Sequence, residues 1–147
     1  MDAVTRAADE AATEGFGADL WKSLRGPACV LLSAPMGTGK TALTRGMLRA
    51  AGHAGEVPSP TFAIVQSYET DPPLYHLDLY RLSSPAELAE LGIEDMLGAG
   101  VVVVEWPERA LPDGGSDEHS DGYWPEDALR VTGRMEEDGV RVWEVRR

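Results

Sequence analysis

LLSAPMGTGKTAL, residues 31–43, passes from an apolar run through two glycines and a lysine into helix-forming residues. Strand, glycine loop, helix is the order that aims several backbone N–H groups and the positive end of a helix dipole at one point, and that point favours phosphate. Gly37 and Gly39 let the backbone curl with no side chain in the way, Lys40 adds a compact positive charge, and Thr41 offers a hydroxyl to Mg²⁺. The chain holds eleven arginines and only two lysines, yet this position carries lysine. A planar guanidinium does not replace a point-charge ammonium inside a tight anion cradle. Ala34 stands where the GxxxxGKT pattern has its first glycine, at the strand end, where a methyl group is tolerated if φ is negative. The expected nucleotide-binding residues are therefore Met36, Gly37, Thr38, Gly39, Lys40, Thr41 and Ala42.

The flanks fit that order. ACVLLSA before the loop suits a strand buried on both faces, and in ALTRGMLRAAG after it Leu43, Met47, Ala50 and Ala51 share one helical face. Upstream, Ala7, Ala11, Ala12, Phe16, Leu20 and Leu24 predict an amphipathic helix over 6–25, with breaks at Gly15 and Gly17. Downstream, FAIVQSY and LYHLDLY read as a hairpin, and SSPAELAELGIEDML as a short helix with Ser84 at the N-cap and Pro85 at the first helical position. GAGVVVVEWPE has the β-branched run of a central buried strand, which Pro107 stops. ALRVTGRMEEDGVRVWEV alternates around EEDG as a terminal hairpin does.

The 147 residues, 43% of them hydrophobic, suffice for a core, and a single domain over 1–147 is expected, with 113–127 as an exposed acidic loop. No segment approaches ~20 continuous apolar residues, and MDAVTRAADE lacks the order of a signal peptide, so a cytoplasmic protein with no membrane association is expected. Cys29 has no second cysteine to pair with and reads as a buried strand residue. The net charge of -12 opposes bulk attraction to nucleic acid. It is unevenly placed: residues 20–55 carry Lys22, Arg25, Lys40, Arg45 and Arg49 and no acid, whereas 113–127 carry six acids and no base. A polyanion has one natural place to sit.

Nucleotide hydrolysis also needs a second metal contact and a group that positions water. Glu105, ending VVVVE, is the candidate for the metal, against the alternative of an ordinary strand-end carboxylate. Asp78 in YHLDLYR is an acid in a strand interior, either orienting water or the metal shell, or paired with Arg81. Thr61 in PSPT is a candidate γ-phosphate sensor or a strand-start residue. His53, His76 and His119 lack metal-ligand spacing and are assigned no catalytic role. Trp106 and Trp124 read as packing or interface residues.

Taken in order, GTGKTALTRGML, SPTFAIVQSY, YHLDLYRL, LGIEDML and VVVVEWPER resemble the TsaE (YjeE) family, the bacterial tRNA threonylcarbamoyladenosine biosynthesis ATPases, over roughly residues 5–112. The resemblance implies an α/β, P-loop NTPase-like three-layer fold with a mainly parallel central sheet and antiparallel additions, to which the C-terminal β-hairpin read above is added from the sequence pattern alone. It further implies ATP with Mg²⁺, and work alongside TsaB and TsaD in placing a threonylcarbamoyl group on adenosine 37 of ANN-decoding tRNAs, with tRNA met only through that complex. Lys40, Asp78 and Glu105 would be catalytic, Thr41 and Glu105 would share the metal, and DEAAT, with Glu10 and Thr13, resembles the segment near the nucleotide base. The loop departs from the family's usual GDLGAGKT by reading APMGTGKT, and the acidic stretch and final hairpin carry nothing over. A small-molecule kinase and a non-hydrolysing nucleotide-gated adaptor are the competing functions. The region after Glu105 is acid-rich, which argues against the arginine-bearing lid that a kinase needs.

Overall fold

The computed structural model describes residues 3–57, 65–80, 82, 86–110 and 124–146. Its elements, in chain order, are β1 (Ala3–Ala7), α1 (Glu10–Ser23), β2 (Ala28–Ser33), α2 (Lys40–Ala50), β3 (Val65–Tyr68) and β4 (Leu74–Asp78). There follow α3 (Ala86–Ala89), α4 (Ile93–Ala99), β5 (Val101–Glu105), a 3₁₀ turn (Pro107–Ala110), β6 (Leu129–Met135) and β7 (Arg141–Arg146). One mixed sheet runs β1-β7-β6-β2-β5-β4-β3. Its centre, β6-β2-β5-β4, is parallel, and β3, β7 and β1 add to it antiparallel. The expected parallel core with antiparallel additions is thus present, as are the β3–β4 hairpin and the terminal β6–β7 hairpin.

VVVV is buried throughout, as its position between two parallel neighbours requires. Alternation sends Val101 and Val103 to a core beneath α1 and α2, with Val30, Leu32, Leu43 and Met47. Val102 and Val104 go to the opposite core, with Leu31, Leu77, Leu88 and Ile93. Glu105, next in alternation, falls on the α2 face at the carboxyl end of the sheet, where open α/β sheets bind their ligands. Cys29 is buried as expected, and that burial pushes its thiol up to about 12.

Two expectations need correction. The helix predicted over 6–25 begins only at Glu10, because Asp9 caps it by accepting from Ala12 N–H at 2.8 Å, and Ala3–Ala7 instead pairs with β7. Nor does it break at Gly15 or Gly17. A Cβ on Gly17 would lie 2.0 Å from the Leu43 carbonyl oxygen, and one on Gly46 1.9 Å from that of Glu14, so these glycines let α1 and α2 touch backbone to backbone. The single helix expected from SSPAELAELGIEDML is two short ones, separated at Gly92, whose φ of 71° is left-handed. Ser84 and Pro85 lie outside the described residues. Among the described residues, no helix is long and apolar enough to cross a membrane.

Candidate phosphate site

The loop between β2 and α2 curls because Gly37 (φ 82°) and Gly39 (φ 114°) take left-handed conformations that disfavour any side chain. Gly39 is the N-cap of α2 and offers no side-chain cap, so the first-turn N–H groups, those of Lys40, Thr41 and Ala42, head the helix without one. Thr38 is buried, and its carbonyl accepts from Arg141 Nε at 3.1 Å, which ties the loop to β7. Met36 stands exposed at the loop tip.

Lys40 is only 8% exposed. Its Nζ donates to the Ala34 carbonyl at 2.8 Å, stands 3.8 Å from Glu105 Oε1, and lies 4.1 Å from the centroid of the Trp106 ring. Burial lowers its affinity for a proton, and the carboxylates of Glu105, Asp78 and Glu108 oppose that fall. A buried ammonium without such partners would be very costly. Trp106 reaches its place over the ammonium from a left-handed backbone (φ 59°), strained for so bulky a residue, and its ring also meets Tyr80 at 5.1 Å.

Glu105 is 4% exposed, and its Oε2 stands 2.5 Å from His76 Nε2. Asp78 pairs in register with Glu105 across β4 and β5, so both carboxylates end adjacent parallel strands on the α2 face. Asp78 is half-buried, and burial raises its carboxyl above the ordinary range, although Oδ1 accepts from Tyr80 N–H at 3.0 Å.

Lys40, Asp78 and Glu105, far apart in sequence, are therefore brought to one edge of the sheet beside Thr41 at the start of α2. Glu10 is held elsewhere: its carboxylate accepts from Arg45 Nη1 at 2.7 Å, a nitrogen also bonded to Glu14. Thr13, of the same segment, is buried with its Cγ2 3.6 Å from where a Cβ on Gly39 would stand. Thr61, Arg81, His119 and the acidic stretch as far as 123 lie outside the described residues. Trp124 packs as expected, buried and donating from its indole to the Pro107 carbonyl.

Three participants escaped the sequence reading: His76 against Glu105, Trp106 over Lys40, and Arg141 on Thr38. His76 left one signal, since two residues before Asp78 in a strand means the same face. Arg141 left none.

A glycine loop between a parallel central strand and a helix, with a buried lysine opening that helix, defines an α/β protein of the P-loop type. The family model described as "Threonylcarbamoyl adenosine biosynthesis protein TsaE" matches residues 7–138. The tRNA threonylcarbamoyladenosine biosynthesis protein TsaE of Haemophilus influenzae is 45% identical over 82 residues, 54% of this chain and 52% of that protein, so the match spans about half of that relative's length. The Treponema pallidum protein of the same description is 30% identical over 142 residues, 96% of both chains. The chain belongs to the TsaE family. The crystal structure of YdiB from Bacillus subtilis superposes with a TM-score of 0.77 over 99% of this chain and 84% of that one at 24% identity, a likeness of fold.

Proposed function

We propose that this chain is a cytoplasmic, Mg²⁺-dependent ATPase required for forming the threonylcarbamoyl group on adenosine 37 of ANN-decoding tRNAs. Its ATP binding and hydrolysis reset a complex of TsaB and TsaD. The observation that carries this reading is the buried Lys40–Glu105 pair, 3.8 Å from Nζ to Oε1, set at a helix N-terminus without a side-chain cap. A polyphosphate supplies the negative charge that such N–H groups and a dehydrated ammonium can meet together. On binding, Lys40 exchanges the Ala34 carbonyl for phosphate oxygen, while Met36, Gly37, Thr38, Gly39 and Ala42 contribute the cradle.

The donor set also suits Mg²⁺. This ion is commonly held by one or two carboxylates together with substrate phosphates and waters, so Thr41 and Glu105 suffice from the protein. Among the described residues no group of three His, Cys, Asp or Glu side chains is gathered for a metal, and a shell completed by nucleotide needs none. When bound, Mg²⁺ neutralises developing phosphate charge. Asp78, in register beside Glu105, orients the attacking water; Thr61 senses the γ-phosphate, and Glu10, paired with Arg45 in this structure, contributes at the base. The chain's net charge of -12 favours contact with tRNA through partner proteins over direct contact.

Turnover of ATP by the wild type, Lys40→Ala and Glu105→Ala, each with and without TsaB and TsaD, tests the proposal. The wild type should be slow alone and faster with the partners. Lys40→Ala should abolish turnover, and Glu105→Ala should bind ATP but hydrolyse little. Normal hydrolysis by both variants would put the site elsewhere, a partner-independent rate would remove the resetting role, and binding without hydrolysis in any mixture would favour the nucleotide-gated adaptor.

A further inference from the structure

His76 has no solvent exposure, lies in the strand beside Glu105, and has no part in the function as stated above. Its Nε2 meets Glu105 Oε2 at 2.5 Å, and its Nδ1 is buried with no hydrogen-bond partner among the described residues. A carboxylate can only accept, so Nε2 is the nitrogen that carries the proton. The opposite tautomer would set a lone pair against the carboxylate and bury an unpaired N–H as well. Stability alone gives no reason for imidazole here: an apolar side chain of similar volume would fill the space without burying an unpaired nitrogen.

The consequence falls on Glu105. With Oε2 tied to β4, Oε1 is the oxygen turned toward Lys40 and the phosphate loop. Without His76, the Lys40 ammonium would be the one remaining ionic partner of this carboxylate among the described residues, and either oxygen could turn to it. We propose that His76 is a positioning residue: its Nε2–H fixes the Glu105 carboxylate so that Oε1 is presented to the divalent cation of a bound nucleotide. The inference rests on the reading of Glu105 as a ligand of that cation.

Titration of Mn²⁺ into the ADP complex of the full chain, followed by the electron paramagnetic resonance of free Mn²⁺, reads this directly and involves no turnover. ADP affinity in EDTA is measured beside it. His76→Leu should weaken Mn²⁺ binding by about tenfold or more, as loss of a group orienting a metal ligand does, and leave metal-free ADP affinity within about twofold. His76→Gln, whose amide nitrogen reaches about as far as Nε2, should recover most of the loss; His76→Asn, one carbon shorter, should not. If His76→Leu does not fold, the Gln and Asn variants decide, because both are polar and differ in reach. Equal Mn²⁺ affinity in those two, or wild-type affinity in His76→Leu, would overturn the inference. Glu105→Gln separates the two levels. If it weakens Mn²⁺ and His76→Leu does not, only the positioning role fails; if neither does, the assignment of Glu105 to the metal fails with it.

Discussion

The two faces of the central sheet are built from different materials. The face under α1 and α2 holds the buried polar side chains Thr13, Lys40, Thr44, His76 and Glu105, while the core opposite consists of Cys29, Leu31, Leu77, Leu79, Val102, Val104 and their apolar neighbours. The covering helices differ as well. On the polar face α1 and α2 meet backbone to backbone through Gly17 and Gly46, reinforced by Arg45 reaching back to Glu10 and Glu14. On the apolar face the helices are the short α3 and α4. Close backbone contact holds α2, and with it Lys40, in fixed relation to α1. The apolar face only has to be filled. A site that buries an ammonium and a carboxylate needs the first kind of support, because small shifts there expose charges to the wrong partners.

Adding one methyl group to the polar face and removing two from the other breaks this comparison most severely. Gly46→Ala places a Cβ against the Glu14 carbonyl, where no rotamer can relieve it, so α1 must move. The expected loss is about 3 kcal/mol or more in unfolding free energy, at the upper end of overpacking effects, with ATP binding lost in parallel. Val102→Ala, fully buried opposite, should cost about 2 kcal/mol and leave nucleotide affinity unchanged in whatever fraction is folded. Urea unfolding with ADP titration checks both. Equal losses of affinity in the two variants would mean that the faces are not separate supports.

What could be read from sequence follows the same division. VVVVE, GTGK and the EEDG hairpin were legible because their causes are local: β-branching, glycine freedom and turn chemistry. Even Glu105 beside the loop was accessible, since a carboxylate ending a central parallel strand has few other places to be. The N-terminal strand was not, because VTRA owes its conformation to β7, and the apolar spacing of Ala7, Ala11 and Ala12 satisfied a helix equally well. Gly17 looked like a helix break because a glycine's contact partner, here the Leu43 backbone, leaves no trace in its own neighbourhood. His76 has no metal-ligand spacing to mark it, yet it meets a carboxylate 29 positions away. Arg141 on Thr38 spans 103 positions. The loop was local; the groups that hold its partners in place were not.

A smaller and sharper test of the comparison lies in Asp78, where the polar face imposes a cost on folding. Burial lifts its carboxyl above the ordinary 3.8, which means that the folded state binds that proton more tightly than the unfolded chain does. The stability linked to this proton is fully present below the unfolded value and is lost as the pH rises through the folded one. At neutral pH the folded protein therefore carries a carboxylate it would be more stable without. Asp78→Asn is uncharged throughout and keeps an oxygen to accept from Tyr80 N–H, so it should raise the urea midpoint at about pH 7, by less than Val102→Ala lowers it, while depressing ATP turnover. Its advantage should shrink as the pH falls and the wild-type carboxyl takes up its proton in the fold. An advantage independent of pH would assign the gain to packing. No advantage at neutral pH would mean that Lys40, whose charge opposes the rise, already compensates the carboxylate in full.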